Sequence, residues 1–509
     1  MTVQAADRDD DLDCPEKNNA QIIDRSLIIV SNRAPMSLSR DESGQITFQR
    51  GSGGLVTALM GLVQNIDASW IAAAESDVER EWHYGRVSLL DEEHTIQLRF
   101  IRPGEEEYDR YYNQISNPLI WFLQHSMWDV VTSPTITAET WAAWEQGYVP
   151  VNRQFAEAVA EQIKQSRQRT LVMFQDYHLY LAPRVLRQIL GPQRMQNHIL
   201  THFVHIPWPG SEDWGILPPG MRQAILEGLC ANDVVGFQTR EDALNFIRSV
   251  ESHLPRSHVN FSRGRIWYRN HATYVRDFPI SIDVDALKQL ALSERVASHR
   301  QQLEDFVQGR QLIVRIDRTE PSKNIARGFQ AYESMLEMYP EHCGSVQFVA
   351  ILVPSRLKVE EYQSYLDDLM AAAGRVNARF GTSDWEPVRV LLGEDYDRAI
   401  AALQLYDVLL VNAIADGMNL VAKEGPVVNQ RDGVLILSER AGARQQMEPG
   451  ATIISPCDVF GTANALHQAL IMPAEIRRER ALRLRKIVEE ADVNDWFCEQ
   501  LSTISQLFG

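Results

Sequence analysis

Short apolar, β-branched runs alternate with longer helix-type patterns along most of the chain, and this alternation limits the fold more than any other feature. "SLIIVSNR", "TLVMFQDYHL", "HILTHFVHIPW" and "NDVVGFQT" mark the first half; "RQLIVRID", "SVQFVAILVP", "VRVLLG", "DVLLVNA" and "GVLILSE" mark the second. Strand and helix in alternation predict an α/β architecture with mostly parallel sheets. The runs fall into two blocks that part near "RDFPISIDVDALKQLA", where Pro279 interrupts an extended stretch. A chain of 509 residues is too long for one core, so two large domains are expected, at 25–284 and 285–490. Residues 1–24 are acidic and poor in large apolar side chains, and read as a disordered tail.

Charge and cysteine content exclude several functions. Lys plus Arg number 50 against 68 for Asp plus Glu, and the formal charge of −18 disfavours nonspecific binding to nucleic acid or anionic membrane. An anionic ligand must therefore meet local basic residues. The five cysteines, Cys14, Cys230, Cys343, Cys457 and Cys498, are odd in number, widely spaced and outside any C-x-x-C pattern. Neither a disulfide framework nor structural zinc is expected, and a reducing cytoplasm fits best. The N-terminal stretch has no signal-peptide pattern and no apolar run reaches membrane-spanning length.

Candidate chemistry gathers at predicted strand ends, where open α/β sheets hold their ligands. "ADGMNLVAKEGPVVNQ" follows an apolar run and passes into a helix. Asp416 and Gly417 would expose the amides of Met418, Asn419 and Leu420 to an oxygen-rich ligand, with the Glu424 carboxylate two turns on for a pair of sugar hydroxyls. The plainer reading makes Asp416 a helix cap and Glu424 a solvated residue. "RIDRTEPSKN" sets Arg318 and Lys323 five apart around a turn, a spacing that could neutralise a diphosphate or be ordinary surface.

"IIVSNRAP" and "FQRGSGGLV" supply Arg33 and the glycines Gly51, Gly53 and Gly54, in neither the Walker nor the dinucleotide spacing. His202 and His205 precede a Pro-Trp-Pro turn, and Asp176 and His178 end another strand. Such groups can hold sugar hydroxyls, although a strand histidine is more often a satisfied core residue. "YYNQISNPLIWFLQH" reads as an aromatic helix face with Tyr112 and Trp121 exposed, and Trp70 is ambiguous between core and site. Metal-ligand spacing is unconvincing, so no metal is assigned.

Taken in order, "SNRAP", "GSGGL", "YYNQISN", "QDYHL", "HIPWP", "VVGFQTREDALNF", the Arg318/Lys323 pair, "ADGMNLVAKE" and "LSERAGA" resemble the trehalose-6-phosphate synthase family of retaining glycosyltransferases over about residues 26–500. The resemblance implies a GT-B fold: two Rossmann-like domains facing a cleft, acceptor mainly on the first and donor on the second. A C-terminal helix at 491–509 is expected to pack back on the N-terminal domain. By matching position, Arg318 and Lys323 would hold the diphosphate, Glu424 the ribose, and Asp416 to Leu420 with Gly53 and Gly54 the donor. His205 would contact the donor sugar and Asp176 would orient hydroxyls near the reacting carbon. Arg33, Tyr112, Trp121 and Arg356 would surround the acceptor phosphate.

The implied reaction moves glucose from a nucleotide-glucose to glucose 6-phosphate with retention and needs neither cofactor nor metal. Partners are then the two substrates, without nucleic acid or membrane; a homo-oligomer and the donor base are left open. Three departures stand out. "TEPS" lies between Arg318 and Lys323, Asn324 stands where glycine is usual, and "SWIAAAESD" lacks the usual Gly-Trp-Ser-Gly. With Trp208 in "HIPWP", they resemble pseudo-glycosyltransferases that couple cyclitols. A glucosylglycerol-phosphate synthase and a catalytically silent sugar-phosphate sensor are compatible with the same motifs.

Overall fold

The computed structural model describes residues 25–41, 43–50, 68–82, 85–88, 95–166, 168–355 and 360–508. The N-terminal tail, Gly51, Gly53, Gly54 and Arg356 therefore lie outside the described residues.

Seven parallel strands form the centre of a ten-stranded sheet, in the order His271–Asp277, Val234–Phe237, His198–Val204, Arg169–Gln175, Arg25–Val30, Ala68–Ala73 and Thr95–Ile101. Antiparallel strands close both edges: Arg265–Tyr268 and His258–Asn260 on one side, Gly85–Ser88 on the other. A second sheet is wholly parallel, in the order Val388–Leu392, Val346–Val353, Gln311–Arg318, Val408–Val411, Val434–Ser438 and Thr452–Ile454. The predicted apolar runs become these strands because helices cover both faces, so nearly every side chain is buried whichever way it points. All six residues of Ala68–Ala73 are buried, as are seven of eight in Val346–Val353.

The two sheets share one apolar cluster that runs from Leu27, Trp70 and Phe203 through Phe278, Ile280 and Ile282 to Leu312 and Leu435. The C-terminal helix Val493–Phe508 seals this passage. Trp496 stacks edge-on against Phe203 at 5.3 Å between ring centres and donates its indole N–H to the Phe278 carbonyl at 3.0 Å. Among the described residues no helix is long and apolar enough to cross a membrane.

Candidate active site

The strands Arg169–Gln175, His198–Val204 and Gln311–Arg318 end at or just before Asp176, His205 and Arg318. The strand Val408–Val411 leads into the loop that carries Asp416. Their carboxyl ends converge, which brings the "QDYHL", "HIPWP", "RIDRTEPSK" and "ADGMNL" segments together from both sheets.

On the second sheet the centre is a buried ion pair. Lys323 Nζ donates to Asp416 Oδ2 at 2.5 Å, and Asn419 Nδ2 donates to the same oxygen at 3.0 Å. Burial opposes the charge on Asp416, but Lys323 and Asn419 outweigh it and hold its pKa below the ordinary value. Burial likewise opposes the Lys323 ammonium, and Asp416 with Asp317 overcomes it, so its pKa is raised. Both groups are therefore charged at neutral pH. Asn419 takes the left-handed conformation at φ 75°, and its Oδ1 accepts from Ala422 N at 3.2 Å. The helix begins only at Val421, later than the sequence pattern implies, because Met418 to Leu420 turn the corner first. Among the described residues the amides of Met418, Asn419 and Leu420 have no hydrogen-bond partner. Unpartnered amides at a helix start favour phosphate or sugar oxygens.

Arg318 is half exposed and pairs at 3.1 Å with the wholly buried Glu320, which also accepts from Ser355 Oγ at 3.2 Å. Glu424 sits in the first turn of Val421–Val428; burial raises its pKa against the Tyr396 hydroxyl, which donates to it at 2.8 Å.

The facing side is built from the first sheet. Asp176 lies at φ 68°, an unfavourable conformation for a residue with a side chain, and its Oδ1 accepts from His205 N at 3.2 Å. Its carbonyl accepts from His202 Nε2 at 3.0 Å, so His202 is a core histidine as in the plainer reading, although among the described residues its buried Nδ1 has no hydrogen-bond partner. His205 is held at both ring nitrogens. Gln238 Oε1 accepts from Ile280 N, which turns its amide NH₂ toward His205 Nδ1 at 3.4 Å; Nε2 then carries the proton and donates to Gln175 Oε1 at 2.9 Å. Burial, with His202 nearby, pushes the His205 pKa down to about 3, so the ring is neutral.

Arg33 Nε pairs with Glu75 at 3.1 Å, and Arg33 Nη2 donates to the Tyr112 hydroxyl at 3.4 Å. The Tyr112 ring stacks on His178 at 5.7 Å, two residues beyond Asp176. Trp121 departs from the expectation of exposure: it is 2% exposed, with its ring on His125 at 3.8 Å. The helical stretch Arg110–Trp121 buries that face against Phe122 and Tyr362, where the apolar area outweighs any benefit of exposure. Trp70 is core, donating to Ser31 Oγ at 2.7 Å.

The two sides touch at Gly417. A Cβ there would overlap the His205 carbonyl oxygen, so only glycine permits the approach. Arg440 Nη2 adds a crossing bond to Ser126 Oγ at 3.1 Å. Contacts run from Arg33 through Tyr112 to His178, two residues along the chain from Asp176, and from Asp176 through His205 to Gly417, Asp416 and Lys323. Sequence reasoning missed the groups that orient them: Glu75, Gln175, Gln238 and Glu320. Only Gln175 and Gln238 carried a signal, as polar residues ending apolar strands.

Asn324, one of the three departures, and Trp208 have packing explanations. Asn324 adopts φ 59°, which asparagine tolerates nearly as glycine does, and its amide donates to the carbonyls of Asn412 at 2.9 Å and Pro456 at 2.7 Å. Trp208 is buried, stacked on Trp214 at 4.3 Å and bonded to Ser249 Oγ at 3.0 Å, a core role.

Two Rossmann-like sheets facing a cleft, with cations and free amides on one wall and a tyrosine–histidine–arginine cluster on the other, define a GT-B glycosyltransferase. The chain belongs to glycosyltransferase family 20, whose model matches residues 25–506. It is 34% identical over 478 residues to the alpha,alpha-trehalose-phosphate synthase [UDP-forming] of Schizosaccharomyces pombe, covering 93% of this chain and 89% of that one. A UDP-forming relative from Aspergillus niger is also 34% identical, covering 95% and 98%. Among solved structures, one from E. coli bound with UDP-2-fluoro glucose has a TM-score of 0.80 at 28% identity, covering 95% and 99%. An alpha,alpha-trehalose-phosphate synthase (UDP-forming) from Burkholderia xenovorans in complex with glucose-6-phosphate has 0.79 at 26%, covering 95% and 100%.

Proposed function

We propose that this chain transfers the glucosyl unit of UDP-glucose to the anomeric hydroxyl of glucose 6-phosphate with retention, yielding α,α-trehalose 6-phosphate and UDP. The observation that carries the reading is the Lys323–Asp416–Asn419 cluster, poised beside three free amides and across Gly417 from Asp176 and His205. The relatives named UDP-forming support uridine as the donor base.

In this reading Arg318, Lys323 and the amides of Met418 to Leu420 receive the diphosphate, and Glu424 accepts from the ribose hydroxyls. As the bond from the donor C1 to the diphosphate oxygen breaks, negative charge grows on that oxygen and the two cations stabilise it. The acceptor oxygen bonds to C1 on the same face and its proton passes to the departing phosphate, so no side chain need act as a nucleophile. Asp176 orients the sugar hydroxyls, and a hydroxyl meets His205 Nδ1 by displacing Gln238, the longer of its two bonds. Arg33, with Tyr112 beside it, takes the acceptor phosphate by exchanging Glu75 for it. The protein supplies positioning and fixed charge, and we assign the reaction no metal or cofactor.

The test is mass-resolved product analysis of the pure protein with glucose 6-phosphate and, separately, UDP-, GDP- and ADP-glucose. A phosphorylated disaccharide with an equal amount of UDP is expected. Donor binding without release of any nucleoside diphosphate would refute the proposal.

A further inference from the structure

Away from the cleft, the short turn Pro340–His342 meets the helix Val459–Leu470. His342 Nε2 and His467 Nδ1 face each other at 2.9 Å, both residues are buried, and a Glu341 carboxylate oxygen and one ring nitrogen of each histidine lie within 4.8 Å of one another. Tyr339 holds the His467 ring: the two stack at 3.6 Å with their planes 2° apart, and the tyrosine hydroxyl is fixed on Asn464 Oδ1 at 2.6 Å. Glu341 is exposed, and among the described residues its carboxylate has no hydrogen-bond or ion-pair partner. Two imidazoles and a carboxylate whose ligand atoms lie within 4.8 Å of one another offer the donor set of a borderline transition-metal ion.

We propose that Glu341, His342 and His467 form a binding site for a divalent transition-metal ion of the zinc type, with solvent in the fourth position. Zinc–nitrogen bonds of about 2.05 Å place two tetrahedral ligand nitrogens about 3.3 Å apart, so admitting the ion exchanges the His342–His467 hydrogen bond for two bonds to metal, with the nitrogens about 0.4 Å further apart and both rings turned toward the ion. Glu341, on an exposed and flexible stem, swings to complete the set. Cys343 is not part of the site, since its Sγ is turned to the Leu336 carbonyl at 3.9 Å.

The position gives the ion a mechanical consequence. The helix Ile325–Met338 starts directly after Lys323 and Asn324 and ends at Tyr339. At its start, Asn324 is tied to Pro456, just ahead of the helix Val459–Leu470. An ion on His342 and His467 would fasten the far ends of the same two helices and brace the diphosphate loop from behind.

The experiment uses the full chain, stripped of metal with a chelator and titrated with Co²⁺. One equivalent is expected to bind with the intense visible absorption of a four-coordinate site, to be displaced by Zn²⁺, and to raise the melting temperature. The exposed Glu341→Gln should weaken Co²⁺ binding by about tenfold or more, at least the loss typical of an outer-shell partner. His467→Gln should abolish the absorption. No four-coordinate absorption in the unaltered protein, or an affinity unchanged by Glu341→Gln, overturns the proposal.

Discussion

Arg318 and Lys323 carry like charges toward the same cleft, but their surroundings separate what each does for the fold. The Arg318 side chain is 52% exposed and that of Lys323 only 12%, the latter locked on Asp416. Arg318→Ala should therefore cost about 1–3 kcal/mol, since the buried Glu320 carboxylate loses one partner and keeps Ser355 Oγ, while turnover falls about 100-fold or more through loss of charge stabilisation. Lys323→Met should lose turnover as well and also cost about 3–5 kcal/mol, because it strands the buried Asp416 charge. Urea unfolding beside steady-state rates separates the two, and equal stability loss in both variants would undo the distinction. The residues of this pair, and the run from Asp416 to Leu420, were legible because their chemistry is contiguous in sequence. Glu75, Gln175, Gln238 and Glu320 were not, since each is an ordinary polar residue until the fold sets Arg33, His205 or Arg318 against it.

At the scale of elements, the loop between the strand Gln311–Arg318 and the helix Ile325–Met338 shows how a departure from the family pattern is absorbed. A left-handed residue must end the turn Pro321–Lys323, and glycine supplies that conformation without any side-chain bond. Asn324 supplies it and adds two donor bonds to buried carbonyls. Asn324→Gly should keep the loop shape and cost about 1–3 kcal/mol for the two stranded acceptors, and Asn324→Ala should cost more because it adds backbone strain. The ordering of the two midpoints in denaturant decides this; alanine more stable than glycine would sink the account. Strands were the most legible elements, since a sheet covered on both faces demands unbroken apolar runs. The exposure expected of Trp121 fails for a related reason: periodicity marks an apolar face but not what packs on it, here Phe122, His125 and Tyr362.

For the whole molecule, the segment Phe278–Ile282 decides how the two sheets are joined. Trp496 bonds the Phe278 carbonyl, Gln238 takes the Ile280 amide, and Lys423 Nζ, on the helix Val421–Val428, donates to the Ile280 carbonyl at 2.7 Å. The passage from one sheet to the other is thus pinned by both halves of the site, by His205 through Gln238 and by Asp416 through the helix that follows it. Lys423 is 2% exposed, and burial pushes its pKa down to about 7 from 10.5. Between those values the unfolded chain holds a proton that the folded one does not, so stability rises with pH across this window; below about 7 both states are protonated and this group contributes no slope. The rise amounts to at most about 1.4 kcal/mol per pH unit. Unfolding in urea at pH 7, 8 and 9 should show this gain in the natural chain, and Lys423→Met, which has no proton to lose at this position, should not show it. Parallel pH profiles for the two proteins would mean that Lys423 keeps its proton inside the fold, and that the Ile280 carbonyl holds a charge rather than a neutral amine.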